Sequence, residues 1–122
     1  MAEIVFTERE LDVMAVLWDE GPATVAEVQA QLEDELAYTT VLTMLRTLEE
    51  KGHVGHVEEG RAYRYHPLVD RDRAQVNALR RLTRKLFRGS RELLLTHLVS
   101  DSDLAEDELR RLQQLLEERL GD

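Results

Sequence analysis

The sequence predicts a mainly α-helical protein with one small β-hairpin, divided into an N-terminal region over residues 1–69 and a three-helix C-terminal region over residues 70–122. Three observations carry that prediction. Two capping boxes in the first 30 residues open short helices, and a threonine-rich amphipathic segment closed by glycine follows them. Two alternating runs joined by Glu-Gly come next. From Asp70 onward the chain shows only leucine-rich helical periodicity.

Thr7 with Glu10 three residues later is a capping box, so a helix is expected from about Glu8. Leu11, Met14, Ala15 and Trp18 recur at helical spacing, and Gly21-Pro22 ends the helix. Thr24 with Glu27 repeats the signal and opens a second helix, with Val25, Val28 and Leu32 facing inward. The third helix is expected from Tyr38 to Gly52. Val41, Leu45 and Leu48 form its buried stripe, with Leu42 on the flank. Thr40, Thr43, Thr47 and Glu50 turn to the opposite side, and the outer face of the first two turns carries hydroxyls and a thioether. Threonine is a mediocre helix former. Several on one exposed face fit a groove reader, because threonine offers a hydroxyl to base edges and a methyl to the thymine methyl. A plain solvated helix is the alternative. Three helices in about 45 residues, the last two tightly connected, describe a helix-turn-helix unit.

His53 to Glu58 and Ala62 to Pro67 alternate in the manner of strands, with Glu59-Gly60-Arg61 at the turn. The expected product is a two-stranded hairpin with Arg61 at its tip. Arg64 lies between Tyr63 and Tyr65 and therefore points to the face opposite both rings. A hairpin directly after such a helix is the wing of a winged-helix domain, although it could also serve only as a lid on the helical core.

Asp70 to Gly89 reads as a long helix with Val76, Leu79, Leu82 and Leu86 along one seam and Arg80, Arg81, Arg84, Lys85 and Arg88 around it. After Gly89-Ser90, the residues Leu93, Leu94, Leu95, Leu98 and Val99 make a short apolar helix expected to be buried on most sides. Asp101-Ser102-Asp103 is a turn. The last helix, Glu106 to Leu120, carries Leu109, Leu112 and Leu116 as an inward stripe, and its acidic first turn suits a helix N-terminus. Three helices this rich in leucine cannot easily bury their apolar faces alone. A second copy of the chain solves that problem, so Val76, Leu79, Leu82, Leu86, Leu94, Leu98, Leu109, Leu112 and Leu116 are assigned to a homodimer seam.

Composition bounds the function. The 122 residues carry a net charge of −9, unevenly spread. Residues 1–60 hold 14 acids against 3 bases, residues 61–91 hold 2 against 10, and residues 92–122 hold 9 against 3. The basic middle block is a candidate for function or a solvated face balancing two acidic ends. With no cysteine, disulfides and thiolate metal sites are excluded and a reducing cytoplasm is the simplest home. No apolar run suits a membrane span, so no membrane insertion is expected. The four histidines show no ligand spacing, and no nucleophile–base or carboxylate pair stands out. No metal, cofactor or enzymatic activity is expected.

The segments Thr7-Glu8-Arg9-Glu10-Leu11-Asp12-Val13-Met14 with Leu17-Trp18, Tyr38-Thr39-Thr40-Val41-Leu42-Thr43-Met44-Leu45, Glu50-Lys51-Gly52 and Arg61-Ala62-Tyr63-Arg64-Tyr65 together resemble the penicillinase and methicillin-resistance repressors, the BlaI/MecI/CopY group. The resemblance is strong up to about Pro67 and continues in layout beyond it. It implies a homodimeric winged-helix transcriptional repressor on double-stranded DNA, occluding a promoter at a palindromic operator. It also implies that Tyr38, Thr39, Thr40, Thr43 and Met44 face the groove, that Arg46 contacts phosphate or base, and that Arg61 and Arg64 are wing contacts. Arg9 is a further candidate for neutralising phosphate. A membrane sensor or protease system acting indirectly would belong to the same picture. Three departures matter. Thr47 stands where the family often has a second basic residue. The cysteine cluster of copper-responsive members is missing, and the Asn-Phe cleavage pair is not reproduced near His97-Leu98. The competing reading is a winged-helix protein-interaction module with no specific DNA binding, in which the arginines of residues 71–91 meet an acidic partner.

Overall fold

Both expected capping boxes form. In the computed structural model, which describes residues 4–121, the Thr7 N–H donates to Glu10 Oε1 at 2.8 Å and the Glu10 N–H donates to Thr7 Oγ1 at 3.1 Å. These bonds open α1 (Glu8–Glu20), which stops at Gly21 with φ +86°. Thr24 and Glu27 exchange the same two bonds at 2.9 and 3.2 Å and open α2 (Val25–Gln31). Each box satisfies amide donors that a first helical turn leaves over. The third helix, α3 (Tyr38–Glu50), ends with Gly52 at φ +82°. There the Gly52 N–H bonds the Glu49 carbonyl and the His53 N–H bonds the Leu48 carbonyl, both at 2.9 Å. That is a Schellman closure, and its left-handed residue favours glycine.

The core of this region joins Val13, Met14, Val16 and Leu17 of α1 to Val25 and Val28 of α2 and to Val41, Leu45 and Leu48 of α3. The stripe expected on α3 is the stripe buried. On α1 the expected phase is corrected. Leu11 is exposed and Trp18 only half-buried, while Glu10, Val13, Met14 and Leu17 keep the inward i, i+3, i+4, i+7 positions. Glu10 can occupy a buried position because Lys51 Nζ donates to its Oε2 at 2.8 Å and the Thr7 amide to its other oxygen.

The hairpin is β2 (Val54–Glu59) against β3 (Ala62–Pro67), with Gly60-Arg61 as a two-residue turn and Gly60 at φ +64°. The expected two-stranded sheet is corrected to three strands. Ala23-Thr24 forms β1 and pairs with the outer edge of β3, Ala23 opposite Tyr65 and Thr24 opposite Arg64, giving the order β1-β3-β2. Two residues are too few to show alternation, so only the tertiary pairing defines β1.

α4 (Arg71–Leu86) starts on the N-terminal region. Trp18 Nε1–H donates to the Val69 carbonyl at 2.9 Å, and the Arg71 guanidinium lies 5.5 Å from the Trp18 ring while pairing with Asp19. Ile4, Val69 and Ala74 are buried together beside Phe6 and Trp18. Met1–Ala78 and Leu79–Asp122 form two compact units, divided inside α4.

In the second unit, α5 (Arg91–Val99) and α6 (Glu106–Gly121) follow the rest of α4. Ser90 caps α5 by accepting the Leu93 N–H at 3.0 Å, and the Phe87 and His97 rings meet at 5.7 Å. The expectation that α5 is buried on most sides, and that α6 has an inward stripe, is corrected for the single chain. Neither helix has a buried residue among those described. Leu98 and Leu116 are 54% and 50% exposed, and Leu94 and Leu112 only half-buried. Short helices within 44 residues offer one another too little surface. No helix among the described residues is long and apolar enough to cross a membrane.

Candidate nucleic-acid interface

The outer face of α3 is the candidate site. Tyr38, Thr39, Thr40, Thr43 and Arg46 are all exposed, which follows from the burial of Val41, Leu45 and Leu48 on the other side. Among the described residues Arg46 has neither a hydrogen bond nor an ion pair. The Thr43 hydroxyl donates to the Thr39 carbonyl at 2.9 Å, so it spends its proton on the helix and keeps its lone pairs and methyl for another group. Met44 does not stand with the threonines. It is half-buried and packs against the core. Thr47 is half-buried as well.

Arg61 occupies the second position of the wing turn, exposed and without a hydrogen bond or ion pair among the described residues. Two other arginines are engaged. Arg9 Nη1 pairs with Asp34 at 2.7 Å, and Arg64 is held by Glu27 and Glu59. The structure therefore brings Tyr38, Thr39, Thr40, Thr43 and Arg46 onto one helical face and places Arg61 at a hairpin tip, while Arg64 is occupied.

One group escaped the sequence reading. His56 Nδ1 lies 2.6 Å from Glu49 Oε2, and the Tyr63 ring stacks on the His56 imidazole at 4.2 Å and 16°. Glu49, His56 and Tyr63 thus link the end of α3 to the wing. The register carries the signal: His56 faces Tyr65, and Tyr63 lies two residues away on the same face of β3. Among the described residues no cluster of three His, Asp or Glu side chains could hold a metal ion.

Electrostatics around α3 predict acid sensitivity. Burial pushes the Glu10 carboxyl up, but the Lys51 ammonium and the Thr7 bonds outweigh it and hold it below its ordinary 4.5. Burial beside Lys51 pushes His53 below its ordinary 6.5. The Thr24 amide and Arg64 lower Glu27, and Arg64 lowers Glu59. Every shift is downward on folding, so the stability they contribute is present above the unfolded values and is lost as pH falls. Urea midpoints should decrease first below about pH 6.5 through His53, then more steeply below about pH 4.5 through the carboxylates. His53→Gln should flatten the upper step. A midpoint unchanged between pH 7 and 5.5 in the parent chain would contradict the His53 assignment.

Comparison with known proteins settles the family. Residues 6–118 match the model of the family described as "Penicillinase repressor". The chain belongs to the penicillinase repressor family. It is 30% identical to the penicillinase repressor of Bacillus licheniformis over 115 residues, covering 92% of this chain and 89% of that protein. To the transcriptional regulator BlaI of Mycobacterium tuberculosis it is 37% identical over 113 residues, covering 88% and 82%. The solution structure of the Bacillus licheniformis BlaI monomeric form in complex with the blaP half-operator superposes on 59% of this chain and 90% of that one, at TM-score 0.51 and 31% identity. The fold is thus a winged helix with a helical C-terminal extension, in a family of transcriptional repressors rather than enzymes.

Proposed function

We propose that this penicillinase repressor family member is a cytoplasmic homodimer that binds a palindromic DNA operator and represses transcription by occluding the promoter. The observation that carries the reading is the exposed threonine face of α3 with Arg46 beside it, which has no ion pair among the described residues. Tyr38, Thr39, Thr40 and Thr43 would read base edges, Arg46 would meet phosphate or base, and Arg61 would meet phosphate from the wing. The complex of a 31%-identical BlaI with the blaP half-operator supports DNA as the partner. Met44 would act from beneath, setting the pitch of the helix through its packing on the core.

Dimerisation is supported by leucines that one chain leaves uncovered. Val76, Leu79, Leu82, Leu86, Leu98, Leu109 and Leu116 are exposed, and Leu94 and Leu112 are half-buried. A two-fold axis through them would pair two reading heads, matching a palindrome.

The acidic balance of residues 1–60 disfavours non-specific adhesion to DNA, so binding should depend on register and respond only moderately to salt. Fluorescence anisotropy with duplex from upstream of the protein's own gene, against scrambled duplex at two salt concentrations, tests the reading. Tight binding of one dimer to the native duplex only is expected. Each phosphate contact contributes about 0.9 to the slope of log affinity against log salt, so Arg46→Ala or Arg61→Ala should flatten it by about 1.8 per dimer. Equal, weak binding to both duplexes would overturn the repressor reading in favour of a protein-docking module. A slope much steeper than roughly −8 would place the basic block of α4 on DNA as well.

A further inference from the structure

We infer that Arg64 is a positioning residue that locks the wing onto the start of α2 and cancels two carboxylates beside the wing, and that it makes no phosphate contact. This deepens the DNA-binding reading and rests on it.

Four of the five guanidinium N–H donors are committed. Nε donates to Glu59 Oε2 at 2.5 Å and Nη2 reaches Glu59 Oε1 at 3.3 Å, a side-on fork across one carboxylate. Nη1 donates to Glu27 Oε1 at 2.8 Å and to the Pro22 carbonyl at 3.1 Å. The three anchors belong to different pieces of chain. Glu59 is the last residue of β2 before the wing turn, Pro22 precedes β1, and Glu27 is the carboxylate of the α2 capping box. The same Glu27 oxygen accepts both the Thr24 amide and Arg64. Backbone pairing prepares this arrangement, because Arg64 sits opposite Thr24 on one side and Val57 on the other, on the face away from Tyr65. A planar guanidinium can grip one carboxylate side-on while bonding a second carboxylate and a carbonyl, whereas an ammonium has three donors and no such fork.

Two consequences follow for DNA. The wing carries Glu58 and Glu59 immediately before Gly60-Arg61, so an unneutralised Glu59 would stand two residues from the arginine assigned to phosphate. Arg64 removes that repulsion without touching the backbone of the DNA. It also fixes where the tip lies relative to α2, and so the reach of Arg61.

The test compares the parent chain with Arg64→Ala, Arg64→Lys and the triple change Glu27→Gln, Glu59→Gln, Arg64→Met. Two readouts are needed: amide hydrogen exchange of β2 and β3 without DNA, and the salt slope of binding to the upstream duplex. Arg64→Ala should speed exchange in the wing by about tenfold, as loss of a local tether does. It should weaken binding several-fold and leave the slope unchanged. Arg64→Lys should rescue neither readout fully. The triple change should recover most of the affinity, because neither Glu27 nor Glu59 is left as an unpaired carboxylate. A slope flattened by about 1.8 per dimer, with wing exchange unaltered and no recovery in the triple variant, would make Arg64 a phosphate contact and overturn the inference. Failure of the parent chain to bind the duplex would instead remove the repressor reading, and the exchange comparison would still decide whether Arg64 locks the wing.

Discussion

Leu79→Glu is expected to convert the protein to a monomer while leaving the N-terminal unit folded. Leu79 is 52% exposed in the single chain and begins the unit in which α5 and α6 have no buried residue among those described. In a two-fold seam, the substitution would place a carboxylate from each copy in an apolar contact, where charge without a partner is strongly unfavourable. Sedimentation should report half the parent mass. Affinity for the palindromic duplex should decrease by about 10²–10⁴, because two linked heads bind with the benefit of effective concentration and separate heads do not. Affinity for a half-site should change little. Trp18, the only tryptophan, is packed against Val69 and Phe6 in the N-terminal unit, so its emission reports folding there independently. Leu94→Glu should behave in the same way. A dimer that survives Leu79→Glu would exclude this seam, and a shift of the Trp18 emission to that of the unfolded chain would mean that the two units do not fold separately.

The second large effect is expected on α3, where its two faces should respond oppositely. Leu45 is fully buried among Val13, Met14, Val28 and Tyr65. Leu45→Ala should cost about 2–5 kcal/mol, the transfer loss plus a cavity that the surrounding helices fill only in part. Against a total stability of about 5–15 kcal/mol for a small domain, that is enough to lower the urea midpoint severely. Thr40→Ala on the exposed face should change stability by less than about 0.5 kcal/mol, since alanine is the better helix former and no packing is lost. Yet it should reduce the preference for native over scrambled duplex by about tenfold per half-site, the value of one contact to a base edge. Loss of stability without loss of discrimination at Thr40 would show that the threonine face serves the fold and not recognition.

The contrast between these two residues shows how much of the molecule was legible from local pattern. Capping boxes depend on residues three apart, and the stripe of Val41, Leu45 and Leu48 depends on helical pitch, so both could be read from spacing alone. The glycine closure at Gly52 depends on a left-handed conformation and was equally local. The threonine face of α3 follows once that stripe is fixed, and Arg61 follows from the two-residue turn.

What depended on distant residues was not legible. Glu10 lies inward and Leu11 outward because Lys51, 41 residues away, supplies the charge that makes a buried carboxylate tolerable. β1 exists only because β3 offers its edge to two residues that have no strand signature of their own. Arg64 read as a free wing cation because two of its three anchors, Glu27 and Pro22, are 37 and 42 residues away in the chain, and only Glu59 is near, 5 residues away. The sequence by itself determined the order of the helices and the hairpin, the buried faces of α2 and α3, and the family, since these rest on periodicity and contiguous motifs. The tertiary structure alone decided which charges are spent inside the protein and which remain to meet a partner, because electrostatic pairing is set by distance in space and not by distance along the chain.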